Sequence, residues 1–463
     1  MLGCPPAALR RMTAIALSLV ALAAFTATPA HSQARAKRRG HSAGGGAGGQ
    51  AGFVKLLDKD AMARGASPTP DGGCIVCGGV TQKGLFAAKL DRLGNVTWEN
   101  YYGTTGWPIR DESMGYDIRP TTDGGYILTG WKLLPLTGGG TQHIMVVTKL
   151  DAKGVVGWEK QFPFKGELSR GVTVRETPDG GFFACGWTPG SYTIQADKKT
   201  VEWQYEGGVY VIKLDKNGEK SWDKLLKTIM PQHQEEKSHM AARGTDGYYV
   251  AYTYARPEGE NGVNYPDATK IVRLSEDGQV VWERELSYEL GNWARATGIE
   301  GTSDGGAVIV GNTETNKVVQ GTRLMGFAVK INHDGNWQWK RLFGRLDEKS
   351  CGENRPYSVR QTQDGGLILS GETRASWPKA KYGTAWIVRL GPDGTVLWDK
   401  IYGREGTSGY LFSASQAPDG GYVAAGYMDK ELSYPYVIKT DANGGAKDEI
   451  VTTYSKIYEA AVP

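Results

Sequence analysis

Only five cysteines occur in the 463-residue chain, and Cys4 lies ahead of the first apolar run. Of the other four, Cys74 and Cys77 have CxxC spacing but fall in a strand pattern, where residues three apart point to opposite faces. That placement excludes a redox pair. It marks Cys77, and Cys185 at the matching place of another repeat, as small buried filler. No apolar run reaches the roughly 20 residues of a membrane-spanning helix. Acidic residues are absent from residues 1–50, so the formal charge of +4 is a property of the leader. Removing Arg10, Arg11, Arg35, Lys37, Arg38 and Arg39 from 54 basic residues leaves 48 against 50 acidic ones, which excludes a large basic nucleic-acid surface. No Ser/His/Asp or Cys/His arrangement stands out. His233 and His239 flank acids in "HQEEKSH" but lack a metal-ligand spacing, so neither metal nor cofactor is expected.

Arg10 and Arg11, the apolar "TAIALSLVALAAFTA" and the small residues after it predict an export signal over residues 1–34, cut after Ala30 or Ala34, with Met12 an alternative start. Cys4 precedes the apolar run, so it is no lipoprotein cysteine. Residues 35–51 form a basic, Gly-rich linker. The expected location is therefore the periplasm or the cell exterior.

What is abundant is glycine, at 65 residues about twice the usual share of roughly 7%. Most of it punctuates a repeat. "TPDGGFFACGWT" from Thr177 recurs in variants whose aspartates stand at 71, 123, 179, 246, 304, 364 and 419. The steps of 52, 56, 67, 58, 60 and 55 residues point to a repeat architecture. A second motif alternates with it, as in "KLDRLGNVTW" from Lys89 and "KLDKNGEKSW" from Lys213, and the seventh copy, "KTDANGGAKD", lacks its tryptophan. Each unit parses into four short strands joined by Asp-Gly-Gly and Asp-x-x-Gly, both tight-turn compositions. Four antiparallel strands seven times over predict an all-β, seven-bladed β-propeller across residues 52–460. "FVKLL" from Phe53 matches "WDKLL" from Trp222, so Phe53–Leu57 is expected to supply the last blade's fourth strand. The tail Glu449–Ala460 would compete for that place or add beside it. The once-per-blade Trp is bulky enough to pack between blades.

The "KLDxxGxxxW" units resemble the tryptophan-docking motif of quinoprotein-type propellers, and with "TxDGG" they resemble secreted bacterial repeat propellers. The resemblance implies the fold. Its quinone site does not carry over, because there is no vicinal cysteine pair and no clear set of calcium ligands. A quinone-dependent dehydrogenase is accordingly the remotest reading.

"DKNG", "SEDG" and "DANG" look like calcium loops but lack ligands spread over twelve residues, so they read as hairpin turns. The basic residue before each such turn (Lys89, Lys149, Lys213, Arg273, Lys330, Arg389, Lys439) reads as scaffold. Arg119, Arg175, Arg243 and Arg360, with Glu300, stand on first strands and would line the central channel, either as an anion-binding ring or paired with the repeat aspartates.

In such a fold the short uniform turns share one face and the long individual connections the other, which is where function is expected. Trp107, Arg110, Trp131, Trp187, Trp203, Trp293, Arg295, Arg355, Tyr357 and Trp377 are the binding candidates, with His143, His233 and His239 behind them. The expected function is an exported binding module for a glycan, an anionic ligand or a protein, acting as a monomer. The alternative is a polysaccharide lyase, drawing base and carboxylate-neutralising groups from His143, His233, His239, Tyr265, Tyr357, Arg295 and Arg355.

Overall fold

A computed structural model describes residues 52–462, apart from 58–60, 82, 104–112, 136–140, 165–167, 190, 195–200, 206, 229–238, 255–267, 287–289, 291–292, 315–323, 348–352, 375–382, 404–406, 430–432, 448 and 451–454. The leader and linker lie outside these residues, as do Trp107, Arg110, His233, Tyr265 and Trp377. Seven antiparallel sheets form a ring, and every described element is a strand or turn: the chain is a seven-bladed β-propeller. Among the described residues no helix is long and apolar enough to cross a membrane.

The first strands of the blades run side by side around the centre: Ala61–Pro68, Met114–Pro120, Arg170–Glu176, His239–Arg243, Ala294–Gly301, Asn354–Gln361 and Ser408–Gln416. Second and third strands are buried on both faces, as "CIVCGGV" (Cys74–Val80) and "TAWIVRL" (Thr384–Leu390) show. Their alternate residues feed the cores on either side of the blade. Cys74 packs with blade seven and Cys77 with blade two, on opposite faces, and both are fully buried thiols outside any disulfide, like Cys185.

Both glycines of Asp-Gly-Gly have a physical cause. The first sits at positive φ, +83° at Gly124 and +75° at Gly180, where a side chain is strained. The second has no room, since a Cβ on Gly125 would lie 2.3 Å from the Leu150 carbonyl oxygen. The aspartate holds the turn together. Asp123 Oδ1 accepts from the Thr121 hydroxyl at 2.5 Å and from Gly125 N–H at 3.0 Å. Its carboxylate also pairs with Lys149 across the sheet at 2.8 Å. All seven blades repeat that ion pair, from Lys89–Asp71 to Lys439–Asp419. The recurring basic residue is scaffold.

The tryptophans dock forward onto the next blade. Trp98 Nε1 donates to Ala152 O at 3.1 Å, Trp222 to Glu276 O at 3.0 Å and Trp282 to His333 O at 3.0 Å. Each ring covers the glycine of the next Asp-x-x-Gly-type turn, as Trp158 covers Gly218 and Trp339 covers Gly394. The aromatic after Asp-Gly-Gly meets the same ring edge-on, as in Trp98–Tyr126 at 5.9 Å and Trp158–Phe182 at 5.7 Å. These tryptophans are half-buried, because they cap the blade junction from its outer side.

Closure follows the expected route. Phe53–Leu56 pairs antiparallel with blade seven's third strand, Ser433–Thr440. The tail does not. Glu449–Ile450 adds to the outer edge of blade six, and Ser455–Val462 adds a fifth strand to blade five along eight residue pairs. With Phe53–Leu56 already filling the last blade, the tail runs back over its neighbours, where open strand edges remain.

Candidate functional site

The Asp-Gly-Gly face is occupied by its own chemistry. Its aspartates are tied to Lys or Arg, and the second turns are closed by local bonds such as Asn217 N–H and Glu219 N–H to Asp215 Oδ1, both 2.8 Å. The calcium-like sequences are therefore hairpin turns. Among the described residues no group of three His, Cys, Asp or Glu is arranged to hold a metal.

The opposite face departs from the repeat. Between blades two and three, Trp131 and His143 stack at 4.2 Å and 13°. The Arg170 guanidinium lies 4.7 Å from the Trp131 ring and 5.8 Å from the Trp187 ring. Arg170 Nη2 donates to His143 Nδ1 at 3.0 Å, so that nitrogen is unprotonated. Burial, together with the Arg170 charge, pulls the His143 pKa down to about 4. Sequence reasoning named Trp131, His143 and Trp187 but missed Arg170, the cation that joins them. Its signal was its place near the start of a first strand, two residues before the bulge, which Arg295 and Arg355 share in blades five and six. Trp131 is 4% and Trp187 6% exposed, so these two rings pack the loop bases and present little surface.

A second cluster crowns blades six and seven. Arg355 reaches Glu372 at 3.2 Å and Glu353 at 3.3 Å, and the Tyr357 hydroxyl donates to Glu372 at 2.8 Å. Tyr357 is buried and meets Phe412 at 5.1 Å; Tyr410 and Phe412 each stack on Tyr427. In blade five Arg295 lies 4.8 Å over the half-buried Trp293, whose Nε1 donates to Glu314 at 3.3 Å. Trp203 and His239 are placed by backbone only. Trp203 stands opposite Tyr192 in a hairpin, Ser191–Ile194 with Val201–Tyr205, that the long connection of blade three folds into. His239 opens blade four's first strand opposite Tyr252. The candidates thus separate into blade-specific groups, and the described lyase candidates stand in blades two (His143), four (His239), five (Arg295) and six (Arg355 with Tyr357).

The first strands surround the centre of the ring. In six of the seven first strands a β-bulge leaves one residue unpaired at the same place: Arg64, Tyr116, Val172, Thr297, Tyr357 and Phe412. A bulge re-aims a side chain, and all of these but Thr297 line a central cavity of about 30 Å³. Below them sit the charged groups. Asp117 binds Arg119 Nε at 2.9 Å and Arg175 Nη1 at 2.5 Å, and Glu300 binds Arg360 at 3.1 Å. The channel arginines therefore pair with channel acids, not with the repeat aspartates. Arg243 is one residue out of register: it pairs with Glu276 and lies over Tyr248, 5.0 Å from its centroid.

No family model matches the chain, and no curated protein matches it. Solved structures do. YCF48 bound to D1 peptide is 11% identical with TM-score 0.41, over 84% of this chain and 96% of that one. A protein of unknown function from Dyadobacter fermentans is 11% identical with TM-score 0.40, over 84% and 98%. A xylan beta-1,4-xylosidase from Bacillus halodurans is 11% identical with TM-score 0.33, over 87% and 95%. Likenesses this remote carry no argument about what the chain does.

Proposed function

We propose that this chain is an exported binding module that holds a glycan, an anionic ligand or a protein partner on its long-connection face. The observation that carries the reading is the contrast between the two faces. On one, seven near-identical turns spend their charges on each other. On the other, cation–aromatic groups that only some blades carry gather at the strand ends: Arg170 with Trp131, and Arg295 with Trp293. Planar rings beside guanidinium groups suit a sugar face or a carboxylate. Trp293 and Arg295, half-buried at the surface, are the contacts favoured from the described set, since Trp131, Trp187 and Tyr357 are buried in the loop bases.

The test is a screen of the purified chain against neutral and uronic polysaccharides. Retention is read together with the ultraviolet absorbance of unsaturated products. Binding without absorbance supports the module. Absorbance that grows with time would move the chain to the lyase reading.

A further inference from the structure

The waist of the channel carries a charge imbalance that the scaffold does not require. Arg119, Arg175 and Arg360 face Asp117 and Glu300 there, five groups in all, and Arg64 lines the same cavity, so guanidinium groups outnumber carboxylates. All five are largely buried, the arginines at 14–16% side-chain exposure and Asp117 at 8%. Burying unmatched charge is expensive. Yet the corresponding places in the other blades hold Ser67, Ala242 and Ser415, so the ring closes without charge.

Unmet hydrogen-bonding groups lie beside this surplus. Arg175 Nη2, Ser413 Oγ and Ser415 Oγ bond to no described protein group. Ser413, 8% exposed, lines the cavity with Arg175 and Arg360; Ser415, two residues along the strand, faces the same way. Buried polar atoms without a protein partner call for a water or an ion. The cavity of about 30 Å³ exceeds the roughly 10–15 Å³ that a single water needs. One small anion fits that space and offsets surplus positive charge, whereas water fits the space alone.

We propose that the channel waist binds one small monovalent inorganic anion of the halide class, between Arg175, Arg360 and Ser413. The site is independent of any partner on the long-connection face. Chloride and bromide are the probes. The full chain is melted in sodium gluconate, with chloride replacing gluconate stepwise at constant ionic strength, and crystals are soaked in bromide for anomalous diffraction. The melting temperature is expected to rise and level off as the site fills, with a bromide peak in the cavity. Ser413→Ala, which leaves every ion pair in place, should need about tenfold more chloride for the half-maximal rise, the weight of one hydrogen bond to a charged group. Arg175→Gln should abolish the rise. A melting temperature indifferent to chloride, with no bromide in the channel, would assign the cavity to water and overturn the proposal. So would a saturable rise that both variants leave unchanged, since the anion would then lie elsewhere.

Discussion

Phe53 lies on Gly94 as a tryptophan lies on the turn glycine at each of the other six blade junctions. A Cβ added at Gly94 would come within 2.7 Å of the Phe53 ring, the same approach that Trp98 makes to Gly154. Phe53 also stands opposite Lys439, the register in which Trp98 faces Lys89 and Trp398 faces Arg389. The missing seventh tryptophan is thus replaced by a residue from the other end of the chain, and the ring is locked by the same contact that joins its blades.

Removing residues 51–58 should therefore abolish cooperative thermal unfolding, while removing 35–49 should leave the melting temperature unchanged. Phe53→Trp should fold normally. Phe53→Ala should cost about 2–3 kcal/mol, below the full price of a buried phenylalanine because the ring is half-buried. Equal stability of the two truncations would refute the closure.

The docking rings should behave alike and modestly. Trp158→Ala and Trp222→Ala should each lose about 2 kcal/mol in denaturant unfolding, below the range for fully buried rings because one side of each faces solvent. Gly154→Ala should be destabilising for two reasons, a φ of +78° and the Trp98 ring 2.7 Å from the new Cβ, the Asn100 amide at 2.6 Å being the end of a flexible side chain that can turn aside. Pairing it with Trp98→Ala should relieve the second reason and leave the first, which a double-mutant cycle reads.

Stability should fall with acid in two separate windows. His143 is held neutral, with its pKa near 4 against an ordinary value of about 6.5. Its contribution is complete above about pH 6.5 and is lost as pH falls toward 4. Asp123 and Asp179 come next. Burial raises their pKa values, but the hydrogen bonds from Lys149 and Lys213, and from the turn, outweigh it and hold both at about 2. Their contribution is complete above the ordinary carboxylate value of about 3.9 and disappears as pH falls through 2. His143→Leu should flatten the upper window and spare the lower. Asp123→Asn should do the reverse, read by melting temperature against pH.

Deleting residues 449–463 should uncover the outer edge of blade five, Trp337–Asp347, along the eight pairs that Ser455–Val462 now makes. An exposed edge of that length invites pairing with a second chain. The truncated protein should melt earlier and sediment partly as larger species, whereas the intact chain should not.

The blades were legible because their causes are local. Asp-Gly-Gly demands a positive φ at Gly124 and a close approach at Gly125, so its period marked every turn. Phe53 was legible by its alignment with Trp222. The tail was not, because Ser455–Val462 and Trp337–Asp347 are joined by pairing between residues more than a hundred positions apart. Channel pairing was misread for a related reason: Arg175 meets Asp117 of the preceding blade, while sequence proximity pointed to its own turn. Among the candidate contacts, residue type drew notice to Trp131 and Trp187 but could not show that Arg170 and the loop bases bury them.

The claim that matters most is that the partner sits on the long-connection face. Its direct test is the dissociation constant of a retained polysaccharide for three proteins: the intact chain, Trp293→Ala with Arg295→Ala, and Asp123→Asn. The paired substitution should weaken binding at least about a hundredfold, as loss of a stacking ring and a charged donor together implies, with the melting temperature nearly unchanged. Asp123→Asn should lower stability and leave binding alone. A folded Asp123→Asn protein that no longer binds, beside a paired variant that binds as before, would place the site on the opposite face and contradict the account.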